Sequence, residues 1–391
     1  MRRIVVSLIL LIGLAVIAGA WLKNELTQPY RGYSEPQVFV DIPRGTSRRG
    51  IASLLKDKGV IRSEWAFALL TKWHRHSALE AGEYRFDHPM TPVQVFAQIA
   101  GGHIYVHTII VPEGWTSFDI ARELERQGLC RHEDFQQVVG DPSLVHDVAP
   151  GAKSLEGFLF PSTYEFSKHV TPEEIAATMV RHFREEWGKL NADAPAQAAG
   201  DAPTPVSARS AARQEAPQPL SPIEVITLAS LIERETPQPK ERPIVASVFY
   251  NRLRIGLPLQ CDPTVQYALY LAGTPKLDVT PEDLHIASPY NTYLHRGLPP
   301  GPIANPGDAS LLAALHPART HYLYFVANDS SGHFFADTLV EHNRNVARYR
   351  RLKLGLPAEP PPPPARPKPK PSPKSSAKHL NKTKKKSGRR A

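Results

Sequence analysis

Two glutamates stand at the end of an apolar stretch, LASLIERET, residues 228–236. The pattern predicts a helix that starts with Ser221 as its cap and Pro222 in its first turn, and prolines end it shortly afterwards. Helical spacing places both Glu233 and Glu235 beside apolar residues of the preceding turn. A carboxyl group in such surroundings keeps its proton to higher pH, which a general acid requires. The spacing does not choose between the two glutamates, and it leaves open that both are solvated last-turn residues, one of them paired with Arg234 or Arg242.

The chain after this helix supplies neutral polar side chains. Residues 288–317 are rich in Pro, Gly and Asn, and they predict an irregular but fixed backbone of the kind that often lines a groove. Asp262, a further carboxylate, is predicted to cap a second helix that begins near Pro263. The groups suited to hydroxyls and acetamides are Gln260, Asn291, Thr292, Tyr293 and Asn305.

Other classes of site find little support. Cys130 and Cys261 fit no metal-binding or redox spacing, so two free, packed thiols are predicted, with a single disulfide in an oxidising compartment as the alternative. The sequence contains no Gly-x-Ser-x-Gly elbow and no phosphate-binding glycine loop, which argues against a serine hydrolase and a nucleotide enzyme. We therefore expect no metal site and no cofactor.

The N-terminus indicates the compartment in which the rest of the chain works. Arg2 and Arg3 precede an uncharged apolar run, residues 4–22, which is long enough to cross a bilayer. Positive charge before the run predicts that residues 1–23 are a cytoplasmic start and a single-pass transmembrane anchor. Cleavage as a signal peptide after residues 18–20 is the alternative, and both interpretations export the remainder.

Much of the positive charge lies in a tail. The formal net charge is +9, but the last 26 residues hold eleven Lys and Arg and no acid, so the remainder is close to neutral. The composition of residues 351–391 predicts a disordered tail rich in Pro and Lys. The composition of residues 192–218 predicts an Ala/Pro-rich insertion. Outside the membrane the tail favours anionic lipid or acidic wall polymers as partners over nucleic acid, and a solubilising role is equally open.

Two segments repeat each other at a constant offset of 69 residues. Residues 43–59 and 112–128 share a Pro-x-Gly turn and an amphipathic pattern ended by glycine, and each follows a strand-like run. This unit resembles half of a LysM module, a βααβ fold that binds N-acetylglucosamine, so residues 35–110 are predicted to be a LysM-like subdomain. A purely structural duplication is an equal alternative. Trp65 and Trp73 could stack on sugars there, although core packing is the commoner use.

Five long motifs occur in an order that resembles the endolytic murein transglycosylases, the YceG-like or MltG family. They read LEGFLFPSTYEF, LASLIERET, ASVFYNRLRIGLPLQCDPTVQYAL, SPYNTYLHRGLPPGPIANPG, and YLYFVAND followed by HFFADTLVEHN. The resemblance covers about residues 36–350, and the insertion and the tail depart from the family outside these motifs. It implies an α+β fold in which the transmembrane helix and the LysM-like βα subdomain precede a mixed α/β catalytic domain, residues 111–350.

The resemblance also implies an activity. Such lyases cleave the MurNAc–GlcNAc bond within nascent peptidoglycan strands, leave 1,6-anhydro-MurNAc ends and terminate strand elongation. The family's acid corresponds to Glu233, with Glu235 as a secondary carboxylate. Since the sugar's own C6 hydroxyl is the nucleophile, one carboxyl group is sufficient. Gln260 and the Tyr290–Asn291 pair resemble substrate-binding elements of other lytic transglycosylases. The expected location is the inner membrane with the catalytic domain in the periplasm, beside wall-synthesis polymerases as partners.

Two rival functions remain open. A two-carboxylate muramidase would combine Glu233 with Asp262 or Asp308 and produce reducing ends. A non-enzymatic peptidoglycan-binding protein would use the repeated strand–helix units, with structural glutamates. A pyridoxal-phosphate lyase would need a lysine at the centre of the motifs, and the lysines near them lie at motif edges in polar contexts: Lys153, Lys240 and Lys276.

Overall fold

The computed structural model describes residues 2–193, 220–328 and 332–356. Most of the predicted insertion (192–218) and of the predicted tail (351–391) lies outside these ranges. The helices are α1 (Arg2–Thr27), α2 (Arg48–Asp57), α3 (Glu64–Trp73), α4 (Pro92–Ala100), α5 (Ser117–Arg126), α6 (His132–Val139), α7 (Pro172–Asp193), α8 (Pro222–Glu235), α9 (Arg242–Arg254), α10 (Asp262–Leu271), α11 (Asp308–Leu315) and α12 (Leu339–Lys353). The strands are β1 (Val38–Ile42), β2 (Gly82–Phe86), β3 (Val106–Ile110), β4 (Thr163–Ser167), β5 (Tyr324–Ala327) and β6 (His333–Ala336).

The structure is a mixture of helices and small antiparallel sheets. The described strands form three two-stranded sheets, which pair β1 with β2, β3 with β4 and β5 with β6. The N-terminal helix α1 is apolar over residues 4–27, and it is the one described helix that is long and apolar enough to cross a membrane. Buried hydrophobic residues form two clusters, one within residues 26–99 and one within residues 109–314.

The repeat seen in the sequence is a repeat of structure. In the first unit α2 and α3 lie between the antiparallel strands β1 and β2, and in the second α5 and α6 lie between β3 and β4. The turn glycines Gly45 and Gly114 have φ values of 81° and 78°, and the glycines that follow α2 and α5, Gly59 and Gly128, have 71° and 69°. Only glycine adopts this left-handed region at low cost, so both turns of each unit are set by glycine.

Two tryptophans of the first unit lie at its surface. Trp65 and Trp73, the second and last residues of α3, are 62% and 63% exposed. The opposite side of α3 faces the core, with Phe67 and Leu70 buried. The common expectation that such tryptophans pack in a core is therefore wrong for this pair, because helical spacing turns them away from the buried residues.

Helix α8 lies at the centre of the second cluster. Ser221 closes a capping box with Glu224 at its start, and Pro222 occupies the first turn, as the sequence predicts. Every residue from Val225 to Ile232 is buried, and α8 contacts α9, α10 and α11. A helix enclosed in this way holds its C-terminal residues in fixed positions, and these residues are the two glutamates.

Candidate active site

The last turn of α8 directs three charged side chains to three different surroundings. Successive helical residues are rotated by about 100°, so neighbours in sequence face different elements. Glu233 meets the start of α11, where it accepts a hydrogen bond from Gly307. Arg234 donates to the carbonyl of Gly114 at 3.1 Å. Glu235 faces a cavity bounded by residues of α9, α10 and the β5–β6 hairpin.

Glu233 forms a buried ion pair. Its Oε1 accepts a hydrogen bond from Nη2 of Arg242 at 2.8 Å, and its Oε2 accepts one from the N–H of Gly307 at 3.1 Å. The Glu233 and Arg242 side chains are 5% and 6% exposed. Burial raises the pKa of Glu233, against the lowering effect of the Gly307 N–H and of the Arg242 charge. Arg242 also contacts Glu113 at 3.2 Å, so Glu233 belongs to a network that ties α8 to α9 and to the loop after β3.

Glu235 lines a cavity of about 390 Å³. Burial raises the pKa of Glu235 to about 7, the thiol of Cys261 opposes this by donating a hydrogen bond, and the nearby charge of Asp262 adds to the increase. A carboxyl group with this pKa exchanges between both protonation states near neutral pH, as a residue that must give and then take a proton requires. The other polar residues that line the cavity are Arg252, Gln260, Asp262, Tyr293, His333 and His342.

Gln260 is held in a strained backbone conformation at the cavity. Its φ of 50° makes it the one non-glycine residue with positive φ in ranges 2–193, 220–328 and 332–356. The N–H of Gln260 donates to the carbonyl of Thr292 at 3.2 Å, and Nη1 of Arg252 lies 3.5 Å from Oε1 of Gln260. Such strain persists only where the surroundings impose it, and it is concentrated at binding sites.

The sequence interpretation did not single out Arg252, which builds the wall of the cavity. Its buried guanidinium donates to the carbonyls of Leu323 at 2.7 Å, Leu259 at 2.8 Å and Pro258 at 3.1 Å. Arg252 therefore joins α9 to the turn before Gln260 and to the segment that leads into β5. The available signal was an arginine in the last turns of an apolar helix, which equally well describes a solvated C-terminal charge.

Three residues predicted to bind substrate are buried and already engaged. Nδ2 of Asn291 donates to the carbonyls of Leu284 and Ile286 at 2.9 and 3.0 Å. The hydroxyl of Thr292 accepts from the N–H of Cys261 at 3.0 Å. Both residues are at most 1% exposed. Their burial argues against sugar contact and gives them a positioning role. Thr292 holds the Gln260–Cys261 backbone, and Asn291 holds the turn at residues 284–286.

Asn305, the third of these residues, closes a buried network and does not line the cavity. Its Oδ1 accepts from the N–H groups of Gly157 and Leu159, both at 2.9 Å, and its Nδ2 donates to Oε1 of Glu156 at 2.9 Å. Glu156 is also a hydrogen-bond acceptor for Ser117. Burial raises the pKa of Glu156 to about 7, and the Ser117 hydrogen bonds oppose the shift. Asn305 therefore holds the LEGF motif in place, and its burial again argues against the predicted sugar contact.

The remaining predicted residues divide between the cavity and the core. Tyr293 lines the cavity, and its hydroxyl donates to Asp262, the first residue of α10. The cap position itself belongs to Cys261 and not to Asp262, so the prediction that Asp262 caps α10 is wrong by one residue. Tyr290 packs on Tyr267 with ring centroids 4.9 Å apart and does not line the cavity.

The second carboxylate considered for hydrolysis, Asp308, opens α11 on the Glu233 side of α8 and does not line the Glu235 cavity. Lys276 is paired with Asp283 at 2.7 Å.

Within the described part of the chain, no group of three or more His, Cys, Asp or Glu side chains is arranged to hold a metal ion. At the cavity Glu235 is positioned for acid–base chemistry, whereas the second carboxylate there, Asp262, accepts a hydrogen bond from Tyr293.

Comparison with known proteins finds relatives that match most of this chain. The chain is 34% identical to the endolytic murein transglycosylase of Bacillus subtilis over 351 residues, which cover 85% of this chain and 91% of the relative. It is 27% identical to the endolytic murein transglycosylase of Streptococcus pneumoniae D39, where the match spans 83% of this chain and 61% of the relative. A crystal structure of a YceG-like protein from Listeria monocytogenes superposes with a TM-score of 0.51 at 33% identity, covering 80% of this chain and 99% of that one.

The family assignment covers both βααβ units and the site. The profile of the YceG-like family matches residues 40–348, which include α8, the cavity and the β5–β6 hairpin. With a match over most of its length, the chain belongs to the YceG-like family.

Proposed function

We propose that this chain is an endolytic murein transglycosylase that cleaves the MurNAc–GlcNAc bond within peptidoglycan strands and leaves 1,6-anhydro-MurNAc ends. The names of its relatives support the reaction class. The observation that carries the proposal is the carboxyl group of Glu235, with a pKa raised to about 7. It faces a cavity that also holds Gln260, Tyr293 and Asp262, and Asp262 accepts a hydrogen bond from Tyr293.

The chemistry needs one group in two protonation states. Protonated Glu235 donates its proton to the glycosidic oxygen as the bond from C1 of MurNAc to that oxygen breaks. The carboxylate then accepts the proton of the C6 hydroxyl as O6 forms a new bond to C1, so Glu235 ends protonated again. The nucleophile is part of the substrate, and proximity supplies much of the rate. A pKa near neutrality suits both steps.

This assignment differs from the one that the family resemblance implied. Glu233 is bound to Arg242 and to the start of α11, and both partners stabilise its charged form. A carboxylate held in this way is poorly placed to carry a proton to a ligand. We assign Glu233 to positioning the end of α8, and Glu235, which faces the cavity, to proton transfer. Gln260 and Tyr293 are the proposed sugar-binding residues, and Asp262 orients Tyr293.

The finer features of location and partners are also proposals. Helix α1 is compatible with a single-pass anchor in the inner membrane, with the N-terminus inside and the catalytic domain in the periplasm. The first unit has the βααβ order of a LysM module, which supports glycan binding by residues 35–110. Wall-synthesis polymerases, and anionic lipid or acidic wall polymers for the basic tail, stay predicted partners.

The test is product analysis on uncrosslinked peptidoglycan strands with the full chain and two matched variants, Glu235→Gln and Glu233→Gln. We expect mass spectrometry to find anhydro-ended fragments with the wild type, to lose them with Glu235→Gln, and to retain them in part with Glu233→Gln. If only Glu233→Gln abolishes the anhydro-ended fragments, Glu233 is the catalytic acid. Reducing ends would indicate a two-carboxylate muramidase, and bound but uncut strands would indicate a wall-binding protein.

A further inference from the structure

The last turns of α1 pack on the first βααβ unit. Leu26 is 8% exposed within the core of that unit, and Leu22 packs against the same cluster. The rings of Trp21 and Trp65 have centroids 6.1 Å apart. Trp65, in the first turn of α3, therefore lies at the same level as the last turn of the apolar run.

That level follows from the length of the run. Residues 4–22 rise by roughly 28 Å at 1.5 Å per helical residue, close to the bilayer's hydrocarbon thickness of about 30 Å. If this run spans the membrane, Trp21 and the adjacent Lys23 fall at the outer interface, where tryptophan and snorkelling lysine are favoured. The contact between Trp21 and Trp65 then brings the start of α3 to the headgroup region as well.

Helix α3 begins at this level and carries an exposed apolar face. Trp65, Leu69 and Trp73, spaced by four residues, form a single stripe that we call the α3 face. Both tryptophans are more than 60% exposed, and Leu69 is partly exposed. Exposed basic side chains flank the face: Arg62, Lys72 and Arg75. An aromatic stripe with basic neighbours is the pattern of helices that lie in a membrane interface.

We propose that the α3 face lies in the headgroup region of the membrane, with Trp65 and Trp73 at the boundary of the hydrocarbon and the basic residues on anionic lipid headgroups. The inference rests on the proposed anchor, because α1 sets the level of α3. Its consequence is that the first βααβ unit is fixed to the bilayer by two contacts, the spanning helix and the α3 face. The orientation of the unit relative to the membrane is thereby restricted.

The experiment uses tryptophan fluorescence of the full chain in vesicles that contain anionic lipid and acyl chains brominated close to the headgroup. The sequence has five tryptophans. The quenchable signal should come from Trp21, Trp65 and Trp73. Trp65→Phe and Trp73→Phe should each remove about a third of it, because the proposal places the three rings at one depth. The control is Trp115→Phe, a tryptophan of the second unit, which should leave the quenched amplitude unchanged.

The outcomes separate the face from the anchor. If Trp21→Phe removes the entire quenchable signal while Trp65→Phe and Trp73→Phe leave it unchanged, the α3 face lies outside the membrane and the proposal is wrong with the anchor intact. If the wild type shows no quenching at all, the anchor itself fails, and the proposal fails with it. Since Trp65 and Trp73 are exposed, their substitution leaves the core intact, which circular dichroism of each variant checks.

Discussion

The buried ion pair between Glu233 and Arg242 leads to a prediction that distinguishes a structural glutamate from a catalytic one. Arg242→Met removes the charge but keeps an apolar side chain of similar length. Glu233, at 5% exposure, is then left without a counter-charge. Breaking a buried pair in this way costs about 3–5 kcal/mol of unfolding free energy. The second partner, Glu113, has a side chain that is 48% exposed, so Glu113→Gln should cost no more than about 1 kcal/mol.

The decisive variant combines Arg242→Met with Glu233→Gln. The double variant no longer buries an unpaired charge, so it should be more stable than Arg242→Met alone, with a coupling of about 1–3 kcal/mol between the two sites. Urea unfolding measures these differences as shifts of the midpoint at constant slope. If the two single losses simply add in the double variant, the pair does not carry the free energy that we assign to it. Cleavage by folded Glu233→Gln, measured on the same samples, tests the positioning role.

Three further predictions concern the site and its support. The cleavage rate should fall as pH rises through about 7, because protonated Glu235 is lost there. Asp262→Asn should move this fall to lower pH, since removing a neighbouring negative charge lowers the pKa of Glu235. A pH profile of the cleavage rate that does not move would contradict the assignment. Gln260→Gly should relieve the backbone strain at φ 50° and raise the free energy of unfolding by about 1 kcal/mol, while it weakens binding of a glycan fragment. Gln260→Ala should weaken binding without the gain in stability. Equal stability of the two variants would refute the strain argument. Asn305→Ala should lower the free energy of unfolding by about 2–4 kcal/mol, because it leaves two buried backbone N–H groups without an acceptor. A loss below about 1 kcal/mol in thermal or urea unfolding would show that water replaces the side-chain amide.

Local features of the fold follow from the sequence because short-range interactions set them. Ser221 and Pro222 define the start of α8, since capping and the missing N–H of proline act within one turn. The offset of 69 residues identified a repeated strand–turn–helix unit, because left-handed turns need glycine at the same places in each copy. The structure extends each copy to a βααβ unit. The apolar run of α1 is likewise readable from composition alone.

The sequence could not decide which face of each helix or strand would contact which other helix or strand. Helical spacing gave Glu233 and Glu235 equally apolar neighbours. The difference between them comes from Gly307, 74 residues away from Glu233, and from the cavity formed with α9, α10 and the hairpin. The same limit applies to Asn305, which looked like a sugar ligand until its partners across the core were visible.

The sequence by itself determined helix α8 and the cap at its start, the duplication, the apolar N-terminal helix and the family. Each of these depends on interactions within a few residues or on the order of long motifs. The tertiary structure alone decided that Glu235 faces the cavity, that Arg242 neutralises Glu233, that Gln260 is strained and that Trp65 and Trp73 are exposed. These facts depend on contacts between segments far apart in the chain, whose geometry is set by the packing of the whole core.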